Sequence, residues 1–215
     1  MEHKPKRRTR ERILETSLRL FNEFGEPNVT TGLIADDMNI SPGNLYYHYR
    51  NKDEIINAIF VEFEAEMTHT LSAPTHRAPD FEDVWLFLHL CFELIWKYRF
   101  LYRDLNDLLS RNRLLEVHFK RILEHSRKVA LQISDGLVAT GQMRATLVER
   151  RAMATNIVVV ATYWLSYEYV RDPRRRTDEE ALARGVFHVM ALAAPYLVGD
   201  ARHFFEKLAE KYVEN

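Results

Sequence analysis

The sequence predicts an all-α fold, and three observations predict it. Apolar side chains recur at the 3.6-residue spacing of a helix over most of the chain. Glycine and proline, 7 of each in 215 residues, are too few to supply the turns of a β-protein of this size. No stretch alternates apolar with polar residues as a half-buried strand does. A chain this long buries a sizeable core, and 47% hydrophobic with 28% charged residues is the balance of a folded globular protein.

The elements follow in order. Ile13, Leu14, Leu18, Phe21 and Phe24 share one helical face, and Gly25 ends that helix. A short helix over Thr30 to Met38 precedes a second short one that opens at Ser41. Ser41 is an N-cap residue with Pro42 at the first helical position, where proline's missing N–H is not needed. A helix from about Lys52 to Leu71 stops before Ser72-Ala73-Pro74, in a loop that reaches Pro79. Further helices are expected at about 80–100, 102–110, 113–140, 148–171, 177–198 and 201–213, with Gly141, Asp172-Pro173 and Gly199-Asp200 between them. Thr177 and Glu180 have the spacing of a capping box.

Charge is informative in its distribution. The 30 basic and 31 acidic residues leave a net of -1, but residues 1–12 hold Lys4, Lys6, Arg7, Arg8, Arg10 and Arg12 against Glu2 and Glu11. A basic N-terminal arm on an otherwise acidic chain suits a polyanionic partner. The single cysteine, Cys91, excludes an intramolecular disulfide or a multi-cysteine metal site, and is expected to act as a small core hydrophobe. No apolar run follows the basic start, so no secretory signal is expected. The most apolar stretch, Ala152 to Val170, is interrupted by Thr155, Asn156, Thr162, Ser166 and Glu168 and falls short of a membrane span. A cytoplasmic protein without membrane contact is expected. The nine histidines are scattered, and there is no glycine-rich phosphate loop, nucleophile elbow or clustered carboxylate pair. No catalysis, metal or cofactor is expected.

Residues 30–52 carry the one specific pattern. Two short helices joined by about three residues make a helix-turn-helix when a small residue sits where they cross, a residue tolerant of left-handed backbone starts the turn, and an apolar residue anchors the second helix. Ala35, Asn39 and Leu45 meet these conditions, with Ile34 and Ile40 beside Leu45. The segment Ser41-Pro42-Gly43-Asn44-Leu45-Tyr46-Tyr47-His48-Tyr49, followed by Asn51-Lys52, closely resembles the DNA-binding segment of the tetracycline-repressor (TetR) family of bacterial transcriptional regulators. Asn39 stands at the family's turn glycine and Tyr49 at its usual phenylalanine.

The resemblance implies a three-helix DNA-binding domain over residues 1–52 and a larger effector-binding and dimerisation domain over 53–215, about nine to ten helices in all. It implies a ligand-responsive repressor that binds a pseudo-palindromic operator in double-stranded DNA as a homodimer; the alternative is a helical ligand-binding or adaptor protein without operator binding. Placement on the recognition helix assigns Asn44 and Tyr47 to bases, with Gly43 allowing close backbone approach. Tyr46, His48 and Lys52 are expected at phosphates, as are the helix starts at Thr30 or Thr31, Ser41 and Lys52, with Arg10 in the arm. Leu45 and Tyr49 are expected inward. Tyr46 and Tyr47 cannot both be core, because adjacent helical positions point apart.

Two further sets follow. Bulky aromatics exceed what helix packing needs, and the family places an effector pocket among its middle helices. The expected lining is Trp85, His89, Phe92, Trp96, Tyr102, Asn106, His118, Tyr163 and Tyr167, around a small hydrophobic or aromatic effector. The stretch Ala152 to Val170 is apolar nearly all round, and 177–198 carries the small residues Ala183, Gly185, Ala191, Ala193 and Ala194. A dimer interface is therefore expected at Ile157, Ala161, Trp164, Phe187, Met190, Ala191 and Ala194, as a four-helix bundle.

Overall fold

The computed structural model describes residues 4–72, 80–172 and 179–213. Its elements are α1 (Lys4–Phe24), a 3-10 turn (Glu26–Asn28), α2 (Thr31–Asp37), α3 (Pro42–His48), α4 (Lys52–Ser72), α5 (Phe81–Lys97), α6 (Arg99–Arg103), α7 (Leu105–Arg111), α8 (Arg113–Ala139), α9 (Leu147–Arg171), α10 (Glu179–Ala193), a 3-10 turn (Ala194–Tyr196) and α11 (Gly199–Val213). Among the described residues the only β-type pairing is an isolated bridge between Met143 and Leu197. The all-α reading holds.

Four boundaries differ from expectation, each for a local reason. The basic arm is not a separate tail: α1 begins at Lys4, since Lys, Arg and Glu are good helix formers and proline is tolerated in a first turn. The two helices expected over 80–100 and 102–110 are three, broken at Tyr98 and Asp104. The breaks follow tertiary demands. Phe100 N–H donates to Asn22 Oδ1 at 3.0 Å, Arg103 donates to the Phe21 carbonyl at 2.9 Å, and Asp104 Oδ2 accepts Glu26 N–H at 3.1 Å. α9 opens one residue early, on a capping box in which Thr146 accepts from Glu149 N–H and the Glu149 carboxylate accepts from Thr146 N–H. α10 stops at Ala193 rather than running to 198, because Pro195 cannot continue it. Thr177, expected to cap that helix, lies outside the described residues.

The chain forms two compact units, Met1–Ala65 with Tyr98–Phe119, and Glu66–Lys97 with Lys120–Asn215. In the first, Phe63 gathers Tyr98 at 5.3 Å, Tyr102 at 5.9 Å and Phe119 at 6.4 Å, so one α4 side chain seats the break before α6, α6 itself and the start of α8. α4 is continuous through the division at Ala65.

In the second unit, α10 packs on α5 and α9 at Gly185. A Cβ there would lie 2.7 Å from Trp164 Cδ1 and closer still to Phe92. The Trp164 indole N–H donates to the Ala181 carbonyl at 2.7 Å. Buried Glu168 is held by Arg184 at 2.6 Å and Arg171 at 3.2 Å. The residues expected at a dimer surface differ in exposure. Trp164, Met190 and Ala194 are buried inside the protomer, and Gly185 serves an approach between helices of one chain. Ile157, Ala161, Phe187 and Ala191 are half-buried.

Gly185→Ala is expected to destabilise the protein by about 1–3 kcal/mol, the usual cost of overpacking a tight crossing. Urea unfolding measures it, and an unchanged midpoint would show that Phe92 and Trp164 are free to retreat.

Candidate nucleic-acid interface

The local geometry of residues 30–52 follows from capping and one turn. Thr30 caps α2 by accepting Leu33 N–H at 3.2 Å, and Ser41 caps α3 by accepting Asn44 N–H at 3.2 Å, each cap contributing about 1 kcal/mol. Between them Asn39 adopts φ 54. Ile40 N–H donates to the Ala35 carbonyl and Asn39 N–H to the Asp36 carbonyl, both at 3.0 Å. That pair of bonds is a Schellman closure of α2. Ile34, Ala35 and Leu45 are fully buried and Tyr49 nearly so, so the turn is seated on the core that the sequence pattern anticipates.

What remains outward is the start of α3. Ser41, Pro42, Gly43 and Asn44 are exposed. Tyr46 and Tyr47 both point out, at 49% and 65% exposure, although neighbouring helical positions require only one of them to do so. Their settings differ. The Tyr46 hydroxyl is hydrogen-bonded to Thr31 Oγ1 at 2.9 Å, which ties α3 to the first residue of α2. Tyr47 stands edge-on to half-buried His48, 5.3 Å between ring centroids. A Cβ on Gly43 would meet nothing closer than Ser41 Oγ at 3.9 Å. The space over Gly43 is open.

Arg10 is more than a loose arm residue. Its Nε donates to Tyr49 Oη at 3.0 Å and its guanidinium lies 5.1 Å from the Tyr49 ring centroid. Burial raises the Tyr49 phenol above its ordinary value, so it stays neutral. Arg10 thus braces the end of α3 while its guanidinium remains exposed.

Lys52, expected at a phosphate, donates from Nζ to the Glu26 and Val29 carbonyls in this DNA-free structure, both at 3.0 Å, and lies 2.8 Å from Glu26 Oε1. Two of its three N–H donors are taken by these carbonyls, and the carboxylate oxygen stands beside the ammonium as a charge without an aligned hydrogen bond. Sequence reading missed Arg50, an exposed arginine one residue beyond Tyr49 whose guanidinium has no partner among the described residues. Its place next to the matched motif was the available signal.

Sequence reading also missed Glu26, a fully buried carboxylate. Besides Lys52 it binds Arg111 Nη2, and Arg111 continues to Asp53 and Asp107, both at 3.0 Å. Burial raises the neighbouring Asp104 carboxyl above its usual range, opposed by the Glu26 N–H and by Arg103.

The nine residues expected around an effector are divided between the units. In the first, Tyr102 is buried on Phe63 and Phe119, Asn106 is exposed, and His118 Nδ1 meets the Glu64 carboxylate at 2.8 Å. In the second, Phe92 is buried, and Trp96 is half-buried. Trp85 and His89 rings lie 4.4 Å apart, and His89 Nδ1 is 3.0 Å from the Trp85 carbonyl. Trp85 Nε1 is buried without a partner among the described residues. Tyr163 and Tyr167 are 46% and 55% exposed on α9, outward where Trp164 is inward. Cys91 lies on α5, where burial pushes its thiol up to about 12, which keeps it protonated at neutral pH.

Comparison with known proteins agrees with this geometry. Residues 13–59 match the family described as "Bacterial regulatory proteins, tetR family", and residues 62–205 match "Bacterial transcriptional repressor". The structure of a TetR-family transcriptional regulator from Marinobacter aquaeolei is 36% identical, with a TM-score of 0.86 over 95% of this chain and 98% of that one. The chain is 32% identical to tetracycline repressor protein class C of Escherichia coli over 35% of its length, and 31% identical to the probable acrEF/envCD operon repressor of the same species over 26%. These matches span 32% and 25% of the two relatives' own lengths.

The left-handed turn gives a local test. Asn39→Ala is expected to lose about 1–2 kcal/mol, the cost of left-handed backbone with a Cβ and no compensating polar side chain, while Asn39→Gly loses nothing. Equal thermal midpoints for the two variants would show that the turn adjusts its backbone.

Proposed function

Since the chain belongs to the TetR family of bacterial transcriptional regulators, we propose that it is an operator-binding repressor that lets go of DNA when a small hydrophobic or aromatic effector binds. The observation that carries this reading is the outward start of α3, with two exposed tyrosines beside a capped N-terminus. Asn44 and Tyr47 read base edges, with Gly43 admitting the DNA closely. Tyr46, His48, Arg10, Arg50 and the N–H groups that open α2 and α3 position the backbone at phosphates. Residues 1–52 act as the reading head, and 53–215 as the part that senses and dimerises. The site of action is the cytoplasm, where the DNA is; no helix among the described residues is long and apolar enough to cross a membrane.

One seven-residue helix spans too few base pairs for useful discrimination, so two copies must read a pseudo-palindrome. α9 supports the pairing. Ala152, Asn156, Val159, Tyr163, Tyr167 and Val170 are exposed at helical spacing along it, a stripe that a second copy covers. The effector belongs to the second unit, where the unpartnered Trp85 N–H beside His89 offers a polar contact in aromatic surroundings. The ligand acts only through its preference for the DNA-incompetent state. A coupling of about 1–3 kcal/mol lowers operator affinity roughly 5–150-fold.

Selection from a random duplex pool should return a pseudo-palindrome, and Tyr47→Ala should relax preference at one base pair per half-site by about 1–3 kcal/mol. Retained preference at every position would remove Tyr47 from base reading. Val159→Arg combined with Tyr163→Glu should give folded monomers by light scattering that no longer retard the selected duplex; dimers would overturn the α9 interface.

A further inference from the structure

The buried face of α1 is made by Ile13, Leu14, Ser17, Leu20 and Phe21. Arg10 stands three residues before Ile13 and four before Leu14, so it continues that face by one turn, past the end of the apolar core. What it meets there is Tyr49, the residue that closes α3. Tyr49 is 2% exposed, and its hydroxyl accepts from Arg10 Nε at 3.0 Å. A guanidinium has five N–H donors in a rigid plane, and this contact uses one of them, on one edge. Among the described residues the two Nη groups of Arg10 take no hydrogen bond, and the side chain stays exposed. Glu54, the acid near enough to act on Arg10, accepts the Arg50 N–H at 2.8 Å instead. Arg10 is thus fixed at one edge of its guanidinium and open at the other, beside the outward helix.

We propose that Tyr49 is a positioning residue whose buried hydroxyl holds the Arg10 guanidinium beside the end of α3, with its Nη edge presented to one backbone phosphate of the DNA. This rests on the operator-binding reading above. A planar fork can serve the hydroxyl and a phosphate at the same time, which a lysine ammonium at the end of a flexible stem does not do with fixed geometry. An arginine already held gives up fewer rotamers when DNA docks, and that saving appears as affinity. The hydroxyl touches no DNA itself, so its whole effect on binding passes through Arg10. Phenylalanine in its place fills the same space and leaves the guanidinium unheld.

The test is a double-mutant cycle on binding to a duplex the protein itself selects from a random pool. Arg10→Gln should flatten the slope of log-affinity against log-salt by about 0.9 for each protomer on the duplex, the signature of one lost phosphate contact. Tyr49→Phe should lower affinity about three- to tenfold per protomer, the usual worth of one hydrogen bond. In the Arg10→Gln background the same change should do nothing. An unchanged slope in Arg10→Gln would show that this cation meets no phosphate. Full affinity in Tyr49→Phe, or an equal loss in both backgrounds, would show that the hydroxyl orients nothing; each of these results overturns the proposal. If Tyr49→Phe does not fold by circular dichroism, Arg10→Lys decides, since it keeps the charge and loses the second edge. Reduced affinity there supports the positioning, and wild-type affinity refutes it. A wild-type protein that selects no duplex would refute the operator reading itself, whereas one that binds DNA without coupling between Tyr49 and Arg10 refutes the positioning alone.

Discussion

A buried negative charge organises the first unit. Glu26 cannot be solvated where it lies, so the chain brings cations and donors to it from elements far apart in sequence. Lys52 and Arg111 supply charge, and the Glu26 N–H is taken by Asp104 across 78 positions of sequence. Asn22 and the Phe21 carbonyl, one turn earlier, receive Phe100 N–H and Arg103. The end of α1, the start of α4 and the α6–α7 segment are thereby held at one point. The segment over 98–105 cannot satisfy all these partners as an uninterrupted helix, which is why it breaks at Tyr98 and Asp104. The reading head is thus fixed at its base by electrostatics and at its turn by apolar contacts through Ile34, Ala35 and Leu45.

The second unit solves a similar problem with volume first and charge second. Gly185 admits Trp164 and Phe92 to the α10 backbone, and the indole N–H is satisfied at Ala181. Four residues further along α9, Glu168 is buried with Arg184 as its counter-ion. The close approach and the ion pair pin the same two helices at adjacent turns. Burial holds the nearby His188 imidazole below its ordinary value, against the opposing pull of Glu168. An α9 whose inner face is so fully engaged leaves Val159, Tyr163 and Tyr167 outward.

How far the sequence carried depends on the range of the cause. Caps and turns are local, so Ser41 with Pro42, the left-handed Asn39 and the stop at Gly25 were legible from single residues and spacings. The Thr146 capping box was equally legible in the Thr-x-x-Glu spacing and was passed over. The family motif made the outward start of α3 legible. The helix breaks at Tyr98 and Asp104 were not, because their causes lie 78 positions away. The same limit explains Lys52. Next to a reading head a lysine looks like a phosphate ligand, and only the fold shows two carbonyls and a carboxylate around it. On α9 the apolar pattern runs nearly all round, so sequence spacing did not distinguish Trp164, which packs inside, from Tyr163 and Tyr167, which face out.

The charge distribution around the reading head carries a final consequence. α3 itself, Pro42–His48, contains no lysine or arginine, and α2 ends in Asp36 and Asp37. Arg19 takes up Asp37 at 2.5 Å, so one of these acids is neutralised before DNA could meet it. Arg10, braced on Tyr49, and Arg50 are exposed cations adjoining the end of α3. Contacts from two tyrosines and an asparagine would cover only one half-site. In the proposed dimer, pairing two heads would raise the local concentration of the second once the first has docked. On the proposed reading, a signal that alters the spacing of two such heads need not touch either one.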